Sequence, residues 1–291
     1  VIGNNFLSSN YVLKELNLPK VKKIGYKFLD GNIRLEKLEL PNVESIKDEF
    51  LFRNKDLMEL NLPKVKEIGN NFLYANVNLQ EISLPNVEII GVNFLCYNIE
   101  LDEIDLPKVK VVNDYFLYNN EKLKKIELPN VEFISEKFLY TNIGLIELSF
   151  GKIKEIGPGF LYNNEKLEKI NIPNVELIGY DFLYCNLELR ELDLPKVKHI
   201  ANDFLSINRN LERINIPNVE IISDNFLQYN KNLTEIKLPK IDKIGFNFLS
   251  VNRKLKRIQV NNAGILSKTL FLNNPELEVI NIVENKINKT I

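Results

Sequence analysis

Apolar and polar residues follow a 22-residue cycle along this chain. A Phe-Leu pair begins at Phe6, Phe28, Phe50, Phe72, Phe94, Phe116, Phe138, Phe160, Phe182, Phe204, Phe226 and Phe248, without an insertion or deletion. A blurred thirteenth copy reads Leu270-Phe271-Leu272. Self-similarity at a fixed period of this length predicts a solenoid whose turns each bury their apolar side chains against the next. Within one turn, Leu57, Leu60 and Leu62 are apolar and Asn61 between the last two is polar, which predicts a short half-buried strand. Pro63 has no amide for a ladder bond and ends that strand. Val65 and Ile68 point inward across the next segment, and Gly69 is expected to supply a turn. Asn70 to Tyr74 are predicted to form one helical turn burying Phe72 and Leu73, and Asn76 closes the circuit before Leu79. The predicted architecture is an α/β solenoid. One long parallel sheet lies on one side, with short strands or single helical turns on the other.

Three polar columns refine this picture. An Asn stands at Asn10, Asn32, Asn54, Asn76, Asn98, Asn120, Asn142, Asn164, Asn186, Asn208, Asn230, Asn252 and Asn274. A buried primary amide is costly unless bonded, so a ladder to backbone groups of neighbouring turns is expected. A second column alternates in charge from Lys22, Glu44 and Lys66 to Lys198 and Glu220, and a third alternates Lys and Asn from Lys20 and Asn42 onward. The true unit is therefore 44 residues. Alternation avoids stacking like charges about 4.8 Å apart. The outward face of the first strand carries Glu15, Lys37, Glu59, Glu81, Glu103, Lys125, Glu147, Lys169, Glu191, Arg213, Glu235 and Arg257, with no aromatic among them. Asp102, Glu103 and Asp105 make its densest acidic spot, flanked by Lys108, Lys124 and Lys125; no metal site is predicted there.

The position after Phe-Leu reads Ser8, Asp30, Phe52, Tyr74, Cys96, Tyr118, Tyr140, Tyr162, Tyr184, Ser206, Gln228 and Ser250. With Phe, Leu and Asn assigned to the interior, this column is expected to point outward, giving a central aromatic stripe with polar ends. Tyr is an amphipathic contact residue, so Tyr74, Tyr118, Tyr140, Tyr162 and Tyr184 are the candidate binding residues.

Composition excludes more than it identifies. The chain has 38 basic and 39 acidic residues, so no concentrated positive face for nucleic acid is expected. No apolar run reaches the roughly 18 residues of a membrane span. Cys96 and Cys185 lie four turns apart, roughly 19 Å, too far for a disulfide. The single histidine, His199, occupies a column shared with Lys23, Ser45, Glu67, Ile89, Val111 and Leu177, an exposed and tolerant position. No catalytic or cofactor-binding motif is present, and neither catalysis nor a cofactor is predicted. Val1-Ile2-Gly3 matches Lys23-Ile24-Gly25, so residues 1–291 read as a single solenoid of about thirteen turns that starts inside a repeat, a portion of a longer protein.

The strand motif L-x-x-L-x-L is that of leucine-rich repeats. Its continuation P-x-V-x-x-I-G-x-x-F-L-x-x-N, with Ile24-Gly25, Ile68-Gly69 and Ile178-Gly179, resembles the BspA-like or treponemal-type class over essentially the whole chain. Asn replaces that class's frequent Cys, and Phe-Leu replaces its Ala-Phe. The resemblance implies a right-handed superhelix with its sheet on the concave side. It also implies surface-displayed proteins that bind host or partner proteins, without catalysis. The resulting expectation is a protein-binding, adhesion-type module at the cell surface or secreted, engaging a protein ligand or another copy of itself. An intracellular scaffold or targeting arm of a larger protein is the alternative.

Overall fold

The structure, a computed structural model, describes residues 1–266, 270 and 273–282. Phe271 and Leu272 of the thirteenth copy lie outside the described residues. The chain winds into stacked turns around one apolar column that runs without interruption from Ile24 to Val260. The Phe rings form its spine, with centroids 5.4–5.6 Å apart and planes within 1–9° of parallel from Phe6 to Phe248. Each buried Phe or Leu contributes about 1.5–3 kcal/mol, realised only when a neighbouring turn covers it.

The first side of each turn is the predicted strand, from Glu15–Asn17 to Val279–Ile282, all parallel and in 22-residue register. Residues of one column face each other, as in Glu103↔Lys125. The ladder is not continuous. Strands bond in pairs, 15–17 with 37–39, 59–61 with 81–83, 103–105 with 125–127, and so on, until the last three bond together. The pairs match the 44-residue unit, and the Lys-Asn column spans them. Asn42 Nδ2 donates to the Pro19 carbonyl at 2.7 Å inside one pair, and Lys64 Nζ reaches back to Asn42 Oδ1 at 2.6 Å across the junction to the next. Asn86, Asn130, Asn174 and Asn218 repeat this bridge.

The second side is a ladder of two-residue strands, each ending on an inward Ile or Val, from Lys23–Ile24 to Lys243–Ile244. Gly69 precedes the third side but does not make a left-handed turn. A side chain there would put a Cβ 2.7 Å from the Asp48 amide nitrogen and 2.8 Å from the Lys47 carbonyl carbon of the preceding turn. Close approach between turns, rather than φ, explains that glycine.

The third side corrects the sequence reading. The segment around Phe-Leu is not a helical turn in any of the twelve copies. Three alternate residues per turn take left-handed φ, such as Asn71 (53°), Leu73 (51°) and Ala75 (58°). Their amides reach neighbouring turns alternately: Asn71 N to the Val92 carbonyl (2.9 Å), Leu73 N back to Phe50 (3.0 Å), Ala75 N to Cys96 (2.9 Å). Left-handed φ costs an ordinary residue roughly 1–2 kcal/mol. Burial of Phe and Leu and the three inter-turn bonds outweigh that cost. A helical turn would bond within itself and leave the stack unstitched on this side.

The Asn column is buried as expected, from Asn32 to Asn274. From Asn32 to Asn252 each Nδ2 donates to the carbonyl of a Leu 25 residues back, as Asn142 does to Leu117 at 2.8 Å, whereas Asn274 Nδ2 donates to the Leu270 carbonyl. In much of the stack the Oδ1 accepts the amide of the Asn one turn earlier, as in Asn120 N to Asn142 Oδ1 at 3.0 Å.

Candidate functional site

The aromatic column emerges at the surface of the third side, next to the buried Phe-Leu pair. The ring of Phe52 stacks on Tyr74 at 4.9 Å, Tyr118 on Tyr140 at 5.2 Å, Tyr140 on Tyr162 at 4.4 Å and Tyr162 on Tyr184 at 4.6 Å. In the fifth turn the column residue is Cys96, and the stack would break there. Tyr97, one residue on, fills the gap with tilted contacts of 5.2 Å to Tyr74 and 5.3 Å to Tyr118. Tyr115 joins at 6.0 Å from Tyr118, and Lys137 Nζ lies 4.5 Å above its ring and donates to its hydroxyl at 2.8 Å. The five candidate tyrosines are therefore brought into one continuous ladder, with Phe52 and Tyr97 as members and Tyr115 at its edge.

All these rings are half-buried. The outward direction expected for the whole column holds for its large members only. Cys96, Ser206 and Ser250 are buried; Cys96 Sγ donates to the Tyr115 carbonyl at 2.8 Å and Ser206 Oγ to the Asn225 carbonyl at 2.9 Å. A small polar side chain can turn in to the next turn's carbonyl, whereas a phenol cannot fit there. Both cysteines are free thiols, and burial pushes Cys96 up to about 12.

Stacking consumes the ring faces. What the ladder offers is a row of ring edges and phenol hydroxyls, apolar and hydrogen-bonding at once. Burial, then the adjacent Tyr162 hydroxyl, holds Tyr140 above the usual phenol range, and burial is also the first cause at Tyr97, Tyr118, Tyr162 and Tyr184. The hydroxyls of Tyr97, Tyr118, Tyr140, Tyr162 and Tyr184 therefore stay protonated and able to donate across physiological pH.

On the first side, hollows lie where strand pairs separate. One of about 850 Å³ is lined by Ile126, Ile146, Leu148 and Ile170 between Lys125 and Glu147. Charges there largely cancel, through Arg257 to Glu235 at 3.0 Å and an Arg213–Glu191 contact. Glu59 opposite Glu81 and Asp105 opposite Glu127 are exceptions. In the acidic spot Asp102 pairs with Lys124 at 2.7 Å, and burial, then Glu127, raises Asp105. No group of three or more potential metal ligands occurs among the described residues. His199 is exposed. No helix among the described residues is long and apolar enough to cross a membrane.

A family model for the BspA type leucine rich repeat region matches six times, over residues 1–120, 88–207 and 198–290. The chain belongs to the BspA-type leucine-rich repeat family. Its fold is similar to that of a leucine-rich repeat protein from Bacteroides ovatus, with a TM-score of 0.78 at 20% identity, covering 95% of this chain and 79% of that one. It is also similar to a leucine rich cell surface protein from Faecalibacterium prausnitzii, with a TM-score of 0.54 at 18% identity, covering 98% and 88%. No curated protein matches significantly.

Proposed function

We propose that this BspA-type solenoid is a non-enzymatic protein-binding module, the recognition or adhesion region of a surface or secreted protein. Its contact surface is the ladder of Tyr74, Tyr118, Tyr140, Tyr162 and Tyr184. The observation that carries the reading is the unbroken stack from Phe52 to Tyr184, kept continuous by Tyr97 where Cys96 interrupts the column. A rigid row of phenol edges loses little entropy on binding, and tyrosines are favoured anchors. Family membership and the likeness in fold to a cell surface protein support a protein ligand met outside the cell. The test is capture from extracellular-matrix extract by the wild-type chain and by a Tyr118→Ser, Tyr140→Ser, Tyr162→Ser variant, each checked by circular dichroism. Loss of capture with the fold intact supports the reading. Undiminished capture, with loss instead on Glu103→Lys, Glu147→Lys, moves the site to the first-side sheet.

A further inference from the structure

The second ladder carries an exposed apolar row distinct from the aromatic one. Its outward positions in the central turns are Ile89, Val111, Phe133 and Leu177, which are 59%, 47%, 39% and 51% exposed. Glu155 interrupts the row between Phe133 and Leu177, and Lys23, Ser45, Glu67, His199, Ile221 and Lys243 hold the same column towards the ends. Ile89, Val111 and Phe133 occupy consecutive turns, and contiguous apolar surface rimmed by charge marks a contact surface. Immediately beside it runs the alternating column, and here stacking does not use the charges. Among the described residues only Lys22 and Glu44 of that column bridge, at 3.1 Å. Lys66, Glu88, Lys110, Glu132, Lys154, Glu176 and Lys198 are exposed and form no ion pair.

We propose that this face docks a second copy of the chain, antiparallel, about a two-fold axis that lies in the interface between the turns of Phe133 and Glu155. An alternating column facing its own reverse about an axis between turns meets opposite sign everywhere: Glu132 with the other copy's Lys154, Lys110 with Glu176, Glu88 with Lys198, Lys66 with Glu220. An axis through a turn would set every charge against its like. In the neighbouring column Val111 meets Leu177, Phe133 meets Glu155 and Ile89 meets His199.

The ladder's own breaks select this axis independently. Its middle segment bonds four strands, 111–112 to 177–178, and hydrogen bonding stops between Ile89 and Val111 and again between Leu177 and His199. A hollow sits at each break, of about 690 Å³ and 510 Å³. The proposed axis bisects the middle segment and sets one break of each copy opposite the other break of its partner. Eight turns about 4.8 Å apart, and a face about 17 Å wide, give roughly 600 Å² per copy. That is the low end of specific interfaces and fits a micromolar dimer.

Sedimentation equilibrium of the chain at low salt, up to a few hundred micromolar, tests this. The expected result is a dimer that weakens as salt rises. Val111→Asp with Leu177→Asp should raise its dissociation constant about tenfold or more. Lys110→Glu should weaken it likewise, and adding Glu176→Lys should restore it, because each copy then offers the swapped partner. Residues 110 and 176 are three turns apart in one chain, so rescue reports contact between copies. A chain that stays monomeric throughout, a dimer untouched by Val111→Asp with Leu177→Asp, or a charge swap without rescue would each overturn the proposal.

Discussion

Replacing Asn142 by Leu keeps the side-chain size and removes its hydrogen bonds. The Leu117 carbonyl loses its bond from Nδ2 at 2.8 Å, and the Asn120 amide loses its acceptor, Oδ1, at 3.0 Å. Leaving each buried group unsatisfied costs about 1–3 kcal/mol, while the buried amide's own desolvation is relieved, so the net loss is about 2–4 kcal/mol. Asn164 is the internal control. Its Nδ2 also donates to a carbonyl, Leu139 at 2.8 Å, but its Oδ1 has no partner. Asn164→Leu therefore orphans one group rather than two and should cost about half as much. A stack of turns need not unfold in one step, so a single melting temperature would blur the difference. Amide exchange resolves it: in Asn142→Leu the Asn120 amide should exchange roughly 30- to 1,000-fold faster. Equal effects of the two substitutions, or an unchanged Asn120 amide, would refute the account of the ladder.

Other outcomes follow from the same geometry. Thr141 holds a β-branched side chain at φ 60°, so Thr141→Gly should stabilise the seventh turn by about 1 kcal/mol in denaturant titration. Asn130 is half-buried and bonds to the Pro107 carbonyl and Lys152, so Asn130→Ala should cost about 1 kcal/mol and speed exchange at the next strand-pair junction. Burial, then the nearby Asp203, raises the Asp181 carboxyl above its ordinary value. The folded chain thus holds that proton more tightly than the unfolded one, and the destabilisation is present above the folded pKa and fades as pH falls through it. Asp181→Asn should raise the melting temperature at pH 7 and lose that advantage near and below pH 4.

Much of this fold was legible because stacking repeats each constraint. The Leu-x-Leu strand, the stop at Pro63, the inward Val65 and Ile68 and the buried Asn ladder each recur in register, and a position buried in one turn is buried in its neighbours. The third side was misread because Phe72-Leu73 beside polar residues also fits one turn of helix. A signal was present: Asn71, Asn93, Asp181, Asp203, Asn225 and Asn247 share a column with Gly159, and Asn, Asp and Gly are the residues that accept left-handed φ. The division of the first sheet into strand pairs was half legible, since the 44-residue alternation was seen but was read as charge balance alone. At the aromatic site the five tyrosines were found from spacing. The part played by Tyr97 was not, because it lies off the column and acts only by filling the gap that Cys96 leaves. The apolar row of Ile89, Val111, Phe133 and Leu177 was passed over, since one mixed column gives no sign of which turns bond to one another.

Site-specific photo-crosslinking tests the binding assignment most directly. A benzophenone side chain placed at position 140 on the aromatic ladder, or at position 147 on the first-side strand, is irradiated in extracellular-matrix extract and the adducts are read by mass spectrometry. The account predicts protein adducts from position 140 that Tyr118→Ser with Tyr162→Ser suppresses, and few from position 147. Adducts confined to position 147 would contradict it and place recognition on the divided sheet.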